Sequence, residues 1–127
     1  MFLVWHYINI LSLKGDLEIN NYIRNDLKIS SNENSSNIYK LNIETEYNKI
    51  ILAKDAKGEA TDFDIEMSVR FILVSNDDKN IIYKDNFKIK NNEDNFEQSN
   101  YERDIKKNFS QIVQEKLILD LIKLSDN

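Results

Sequence analysis

Three acidic side chains, Asp62, Asp64 and Glu66, recur at every second position. On a strand this spacing puts them on one face, because successive side chains point to opposite sides. Carboxylates so placed could ligate a hard cation or exchange protons. The same row is also what the wet face of an amphipathic antiparallel strand looks like. Lys84, Lys88 and Lys90 share one face of a second strand, and Arg70 comes near them if the two strands pair. This basic stripe could meet phosphates or another anion, or it could balance the acidic row, since opposite charges across strands are a common sheet device. Lys54 and Lys57 frame a hairpin tip, which is either a solvated turn or a projecting probe. His6, the single histidine, stands between Trp5 and Tyr7 with no Ser or Asp partner in evident reach. No glycine-rich phosphate loop, HExxH or GxSxG occurs. The residues point to a non-enzymatic protein with no catalytic residue, metal site or cofactor.

Composition narrows the classes further. With 127 residues and 41% of them apolar, the chain can bury one real core. A net charge of −5 argues against nucleic acid as a partner, because neutralising phosphates takes clustered Lys and Arg. The absence of Cys removes disulfides, thiolate metal sites and a Cys nucleophile. With no Pro and only two Gly, turns must rely on Asn, Asp and Ser. No apolar run reaches the length of a membrane-spanning helix. The start, MFLVWHYINI, is apolar but lacks the basic segment and small-residue cleavage site of a complete signal peptide.

The candidate residues depend on one long strand. In Gly58–Ser75, the odd positions Phe63, Ile65, Met67, Val69, Phe71 and Leu73 are apolar and the even ones begin Asp62, Asp64, Glu66, Ser68, Arg70. This pattern predicts the central strand of an antiparallel sheet. Before it, Phe2–Leu13 reads as strand one, with Ile8 and Ile10 on one face. Gly15-Asp16 reads as a turn and N-cap. Ile19, Tyr22, Ile23 and Leu27 predict a helix over Leu17–Ile29. The polar stretch Ser30–Asn37 reads as a flexible loop. Tyr39, Leu41, Ile43, Thr45 and Tyr47 alternate as strand two, and the break at Ile50-Ile51-Leu52 predicts a bulge. Asp55-Ala56-Lys57-Gly58 is the hairpin turn. Ile81–Lys90 is strand four, with Tyr83, Phe87 and Ile89 inward. A last helix is expected from Gln98 or Ser99, where Ser99 and Glu102 have capping-box spacing. Its stripe is Tyr101, Ile105, Phe109, Ile112, Val113, Leu117, Leu121 and Leu124. The expected fold is α+β, a two-layer sandwich of order β-α-β-β-β-α. Its four-stranded, mostly antiparallel sheet carries both helices on one face. Strand order stays open, since strand one need not pair with strand two.

Three segments resemble the LPS-assembly lipoprotein LptE family. They are Ile8–Leu27, with a short strand, a Gly-Asp turn and a helix ending in Arg-Asn-x-Leu; Tyr39–Val74, similar to the family's long hairpin; and Asn95–Leu124, where Asn-Phe, Glu102 and Asp104 open the last helix. Gly58, Ala60, Phe63 and Met67 fall where the family often has Gly, Ala, an aromatic and an apolar residue. The resemblance implies a single domain over residues 1–127. It implies a non-enzymatic plug for the LptD outer-membrane β-barrel, helping that barrel fold and contacting lipopolysaccharide at the periplasmic side of the outer membrane. One family basic position, near the strand two–three turn, falls at Ala56, so Lys54 and Lys57 become the lipopolysaccharide-binding candidates. Arg70, Lys84, Lys88 and Lys90 form a secondary stripe. The family's other basic position falls near Ser99. The family also carries a signal peptide ending in a lipidated Cys, so the resemblance implies an upstream segment that this chain lacks. The alternative is a small carrier domain holding an apolar ligand between the sheet and the C-terminal helix.

Overall fold

The computed structural model describes residues 7–30 and 38–125. His6, the beginning of the expected first strand and most of the Ser30–Asn37 loop lie outside the described residues. The elements are β1 (Tyr7–Lys14), α1 (Leu17–Ser30), β2 (Ile38–Lys54), β3 (Ala60–Leu73), β4 (Lys79–Lys90) and α2 (Asn95–Ser125). The sheet order is β1-β2-β3-β4, with β1 parallel to β2 and the other pairs antiparallel. A parallel neighbour needs a crossover, and α1 supplies it.

The odd residues of β3 face the helices: Phe63, Ile65, Met67, Val69 and Phe71 are all buried. Leu41 and Ile43 of β2 join them, as do Ile19, Ile23 and Leu27 of α1. Phe71 is fully buried and meets the Tyr83 ring edge-on, with centroids 6.0 Å apart. The space between sheet and helices, where the carrier reading would seat a ligand, is occupied by these side chains.

Register shifts in β1 and near the end of β2, where a second slip follows between Ala53 and Lys54, accompany the core pattern. In β1 the register slips between Ile10 and Ser12, so Ile10 pairs with Leu41 and Leu13 with Ile43 although they differ in parity. The slip turns Ser12 to the outer face, where its hydroxyl donates to Asn42 Oδ1 at 2.7 Å. In β2 the register slips between Ile51 and Ala53, where the alternation breaks in the sequence.

The last helix starts earlier than its capping-box spacing suggests. Asp94, not Ser99, is the cap: its Oδ1 accepts the N–H groups of Phe96 at 2.9 Å and Glu97 at 3.3 Å. A carboxylate both fills these orphan donors and suits the positive end of the helix dipole. Ile105, Phe109, Val113, Leu117 and Leu121 form the buried row. A row at every fourth residue precesses around a helix of 3.6 residues per turn. Tyr101 therefore turns outward at its start, and Ile112 lies off it; both are exposed. Phe87 departs from expectation too. It is 39% exposed, because β4 is an edge strand with a neighbour on one side only.

The turn from β1 into α1 is tightly packed against β2. Gly15 has φ +109°, and a Cβ there would stand 1.8 Å from the Thr45 carbonyl oxygen. Gly58, at the hairpin tip, has φ +84° with open space around it. Gly58→Ala should therefore cost about 1 kcal/mol, the left-handed penalty alone. Gly15→Ala should cost roughly 3 kcal/mol or more, since backbone must move as well. Urea unfolding of both variants checks the contrast; equal losses would count against the Gly15–Thr45 contact.

Candidate functional site

The β2–β3 hairpin tip is built by Asp55. Its Oδ1 accepts the N–H groups of Lys57 and Glu59, both at 2.9 Å, while Gly58 N–H donates to the Asp55 carbonyl at 3.0 Å. These bonds present Lys54 and Lys57 as exposed side chains, and among the described residues neither joins an ion pair.

The basic stripe lies on the outer face of the sheet, the face away from the helices. There Lys90 stands opposite Asp62, Lys88 opposite Asp64 and Lys84 opposite Ser68. Arg70 stands opposite Glu44 and reaches its carboxylate at 3.9 Å. Asn86 Nδ2 donates to Asp64 Oδ1 at 3.3 Å. So Asp62, Asp64 and Glu66 do share a face, as expected, but each is answered across the strand by a base or an amide. Among the described residues no three acidic or histidine side chains converge to hold a metal. Glu46, Asn48, Glu66, Ser68, Lys84 and Asn86 line an open polar depression of about 400 Å³ on this face. A second groove of about 500 Å³ lies between the end of β4 and the start of α2, lined by Lys88, Lys90, Glu97, Gln98 and Tyr101.

Behind the hairpin runs a polar seam absent from the sequence reading. Lys106 is only 8% exposed. Its Nζ donates to Asp16 Oδ1 at 3.1 Å and Glu18 Oε1 at 3.3 Å, and stands 4.2 Å from the centre of the Tyr47 ring. The Tyr47 hydroxyl donates to Glu102, which also accepts from Lys49 at 2.9 Å and Gln98 at 2.8 Å. Gln98 in turn accepts the Asn92 N–H at 2.9 Å. The signal for this seam was present: Gln98, Glu102, Lys106 and Ser110 recur every four residues along α2, beside the apolar row. Burial and the bond to Glu102 push the Tyr47 phenol above its ordinary range. Tyr83 is raised likewise, by burial and its bond to Asp120. Burial works to raise Glu102, but the bonds from Tyr47, Lys49 and Gln98, with the Lys49 charge, hold it below its usual value. Asp26 goes the other way, raised by burial against the pull of Lys107.

No family model matches the chain, and a comparison with curated proteins found no match. Solved structures do match. Rare lipoprotein B of Shewanella oneidensis superposes with a TM-score of 0.64 at 11% identity, over 92% of this chain and 99% of that one. A minor lipoprotein of Acinetobacter baumannii gives 0.59 at 16% identity, over 90% and 91%. Lipoprotein B of Nitrosomonas europaea gives 0.53 at 13% identity, over 88% and 84%. The fold is shared with bacterial lipoproteins. At these identities the likeness is one of fold, and it spans nearly the whole of each chain.

The seam sets a pH dependence. An unfolded Glu titrates near 4.3, and Glu102 is held lower when folded. Its stabilising share is thus present above about pH 4.3 and is lost as pH falls through the folded-state value. Glu102→Gln should flatten the acid limb of the stability curve between about pH 5 and pH 3. Urea midpoints across that range check it, and an unchanged slope would remove Glu102 from the acid response.

Proposed function

We propose that the chain is a non-enzymatic assembly factor of the LptE type. It plugs and stabilises an LptD-like β-barrel and assists lipopolysaccharide transport and insertion at the periplasmic side of the outer membrane. The observation that carries this reading is the fold shared, over almost full length, with two proteins called lipoprotein B. The three sequence segments that resemble LptE support it, since each maps onto the matching element: β1 with α1, the β2–β3 hairpin, and α2.

Within this reading the hairpin tip meets the lipid. Lys54 and Lys57 project without carboxylate partners among the described residues, so their charge is available to anionic headgroup phosphates. Arg70, Lys88 and Lys90 stand across the strands from Glu44, Asp64 and Asp62, and Lys84 from Ser68, as a secondary stripe. The packed interior supports the reading of an insert rather than a container.

The test is capture from detergent-solubilised outer membranes of the source organism with a C-terminally tagged chain. A large β-barrel protein should co-purify in nearly equal amount; its absence would leave only a shared fold. Lys54→Glu with Lys57→Glu should weaken lipopolysaccharide binding roughly tenfold, about 1.4 kcal/mol, and the loss should shrink as salt rises. Unaltered binding would remove the hairpin tip from the lipid site.

A further inference from the structure

α2 is fastened to the sheet in two different ways along its length. From Ile105 onward an apolar side chain is buried at each turn, in the row Ile105, Phe109, Val113, Leu117 and Leu121. The opening stretch, Asn95–Asp104, has no such anchor among the described residues. Its two large apolar side chains, Phe96 and Tyr101, are 75% and 52% exposed, and its buried side chain is the amide of Gln98. Its hydrogen bonds to the sheet converge on Glu102. Among the described residues, Tyr47 and Lys49 of β2 donate to that carboxylate, Lys49 at 2.9 Å, and no other side chain of the stretch bonds a strand. Gln98 and Glu97 instead accept from Asn92, in the connection from β4, at 2.9 Å and 3.0 Å. The Lys49 ammonium that bonds Glu102 also stands 4.2 Å from the centre of the Phe63 ring. Ile89, opposite Phe63 on β4, lines with Gln98 and Tyr101 the groove between β4 and α2. That groove leaves this end of the helix without the close apolar packing of the later turns.

We infer that Asn95–Asp104 is a strap latched to the sheet by Glu102, which opens by itself while the helix from Ile105 onward stays packed. Segments with few buried apolar contacts open at a lower free energy than the core they adjoin. Bonds to one carboxylate hold the strap, whereas the hydrophobic term holds the rest of the helix. Opening gives up the Asp94 cap, the Gln98 bonds and the Glu102 bonds, and it uncovers Ile89 and the Lys49 side of Phe63. The strap is a property of this chain alone and needs neither barrel nor lipid.

Hydrogen exchange read by mass spectrometry on the full chain at neutral pH tests the strap, with circular dichroism confirming that each variant is folded. The amides of Ser99–Asp104 have helical acceptors four residues back, yet they should be protected roughly tenfold less than those of Val113–Leu121. Low urea should hardly change exchange of the first group and should accelerate the second, because opening the strap exposes little surface. Glu102→Ala should cut protection of Ser99–Asp104 roughly tenfold further, although Ala is the better helix former. Val113→Ala should lower the urea midpoint and leave protection of Ser99–Asp104 within about twofold, since the open strap keeps that core packed. Equal urea dependence of the two groups would overturn the proposal, because α2 would then open only as a whole. So would unchanged protection in Glu102→Ala, or a Val113→Ala variant whose strap loses as much protection as its core. If Val113→Ala does not fold, the urea dependence of the unsubstituted chain decides alone.

Discussion

A glycine pressed against a carbonyl organises the first half of this molecule. Gly15 brings the β1–α1 turn so close to Thr45 that no side chain fits between them. The contact is polar as well as tight. The Thr45 hydroxyl accepts the Asp16 N–H at 2.9 Å and donates to Asn20 Oδ1 at 2.7 Å. Asp16 then caps α1 through the Ile19 N–H at 3.0 Å. One turn thus ends β1, starts α1 and fixes the helix against the middle of β2. It also decides how much of the β2 edge stays open.

The same Asp16 carries the constraint across to the second half. Its other oxygen holds Lys106, whose charge is shielded by Glu18 and the Tyr47 ring. A lysine this deep costs a great deal unless it is paired and hydrogen-bonded. The seam through Tyr47, Glu102, Lys49 and Gln98 meets that requirement and ties α2 to the sheet by directional bonds. Apolar packing around Phe71, Met67 and Phe109 supplies the larger attraction, but it is non-directional. The seam is what sets how far α2 slides and turns over the sheet.

Function, on this reading, is assigned to the parts these constraints leave free. The outer face is close to electrically balanced, with bases across from acids. At the hairpin end Lys54 and Lys57 join no ion pair among the described residues, and the aliphatic residues of β2 face water. The Asp55 turn fixes the backbone of that end. A packed body with a projecting, lysine-bearing tip suits an insertion partner better than a vessel.

Much of this was legible in the chain itself. The period-two pattern of Gly58–Ser75 determined β3 and its buried face, because a strand offers no other way to sort such residues. Gly15-Asp16, the bulge near Leu52 and the order β-α-β-β-β-α were written in local chemistry too. Strand order was not, since pairing β1 with β2 rests on contacts far apart in sequence. The start of α2 was missed because Asp94 and Ser99 are both good caps, and only Phe96 and Glu97 show which one is used. The outward turn of Phe87 and Tyr101 was hidden for a related reason: exposure depends on what lies alongside, and periodicity names a face without saying whether anything covers it. Lys106 makes the limit plainest. Its four-residue rhythm marked it as inward, but only the fold brought Asp16, Glu18 and Tyr47 to it, because a charge is buried by partners from other elements. By itself, then, the sequence determined the elements and their faces, which are local matters of period and cap. The tertiary structure decided which edges and charges were left open, because these depend on where distant segments stop.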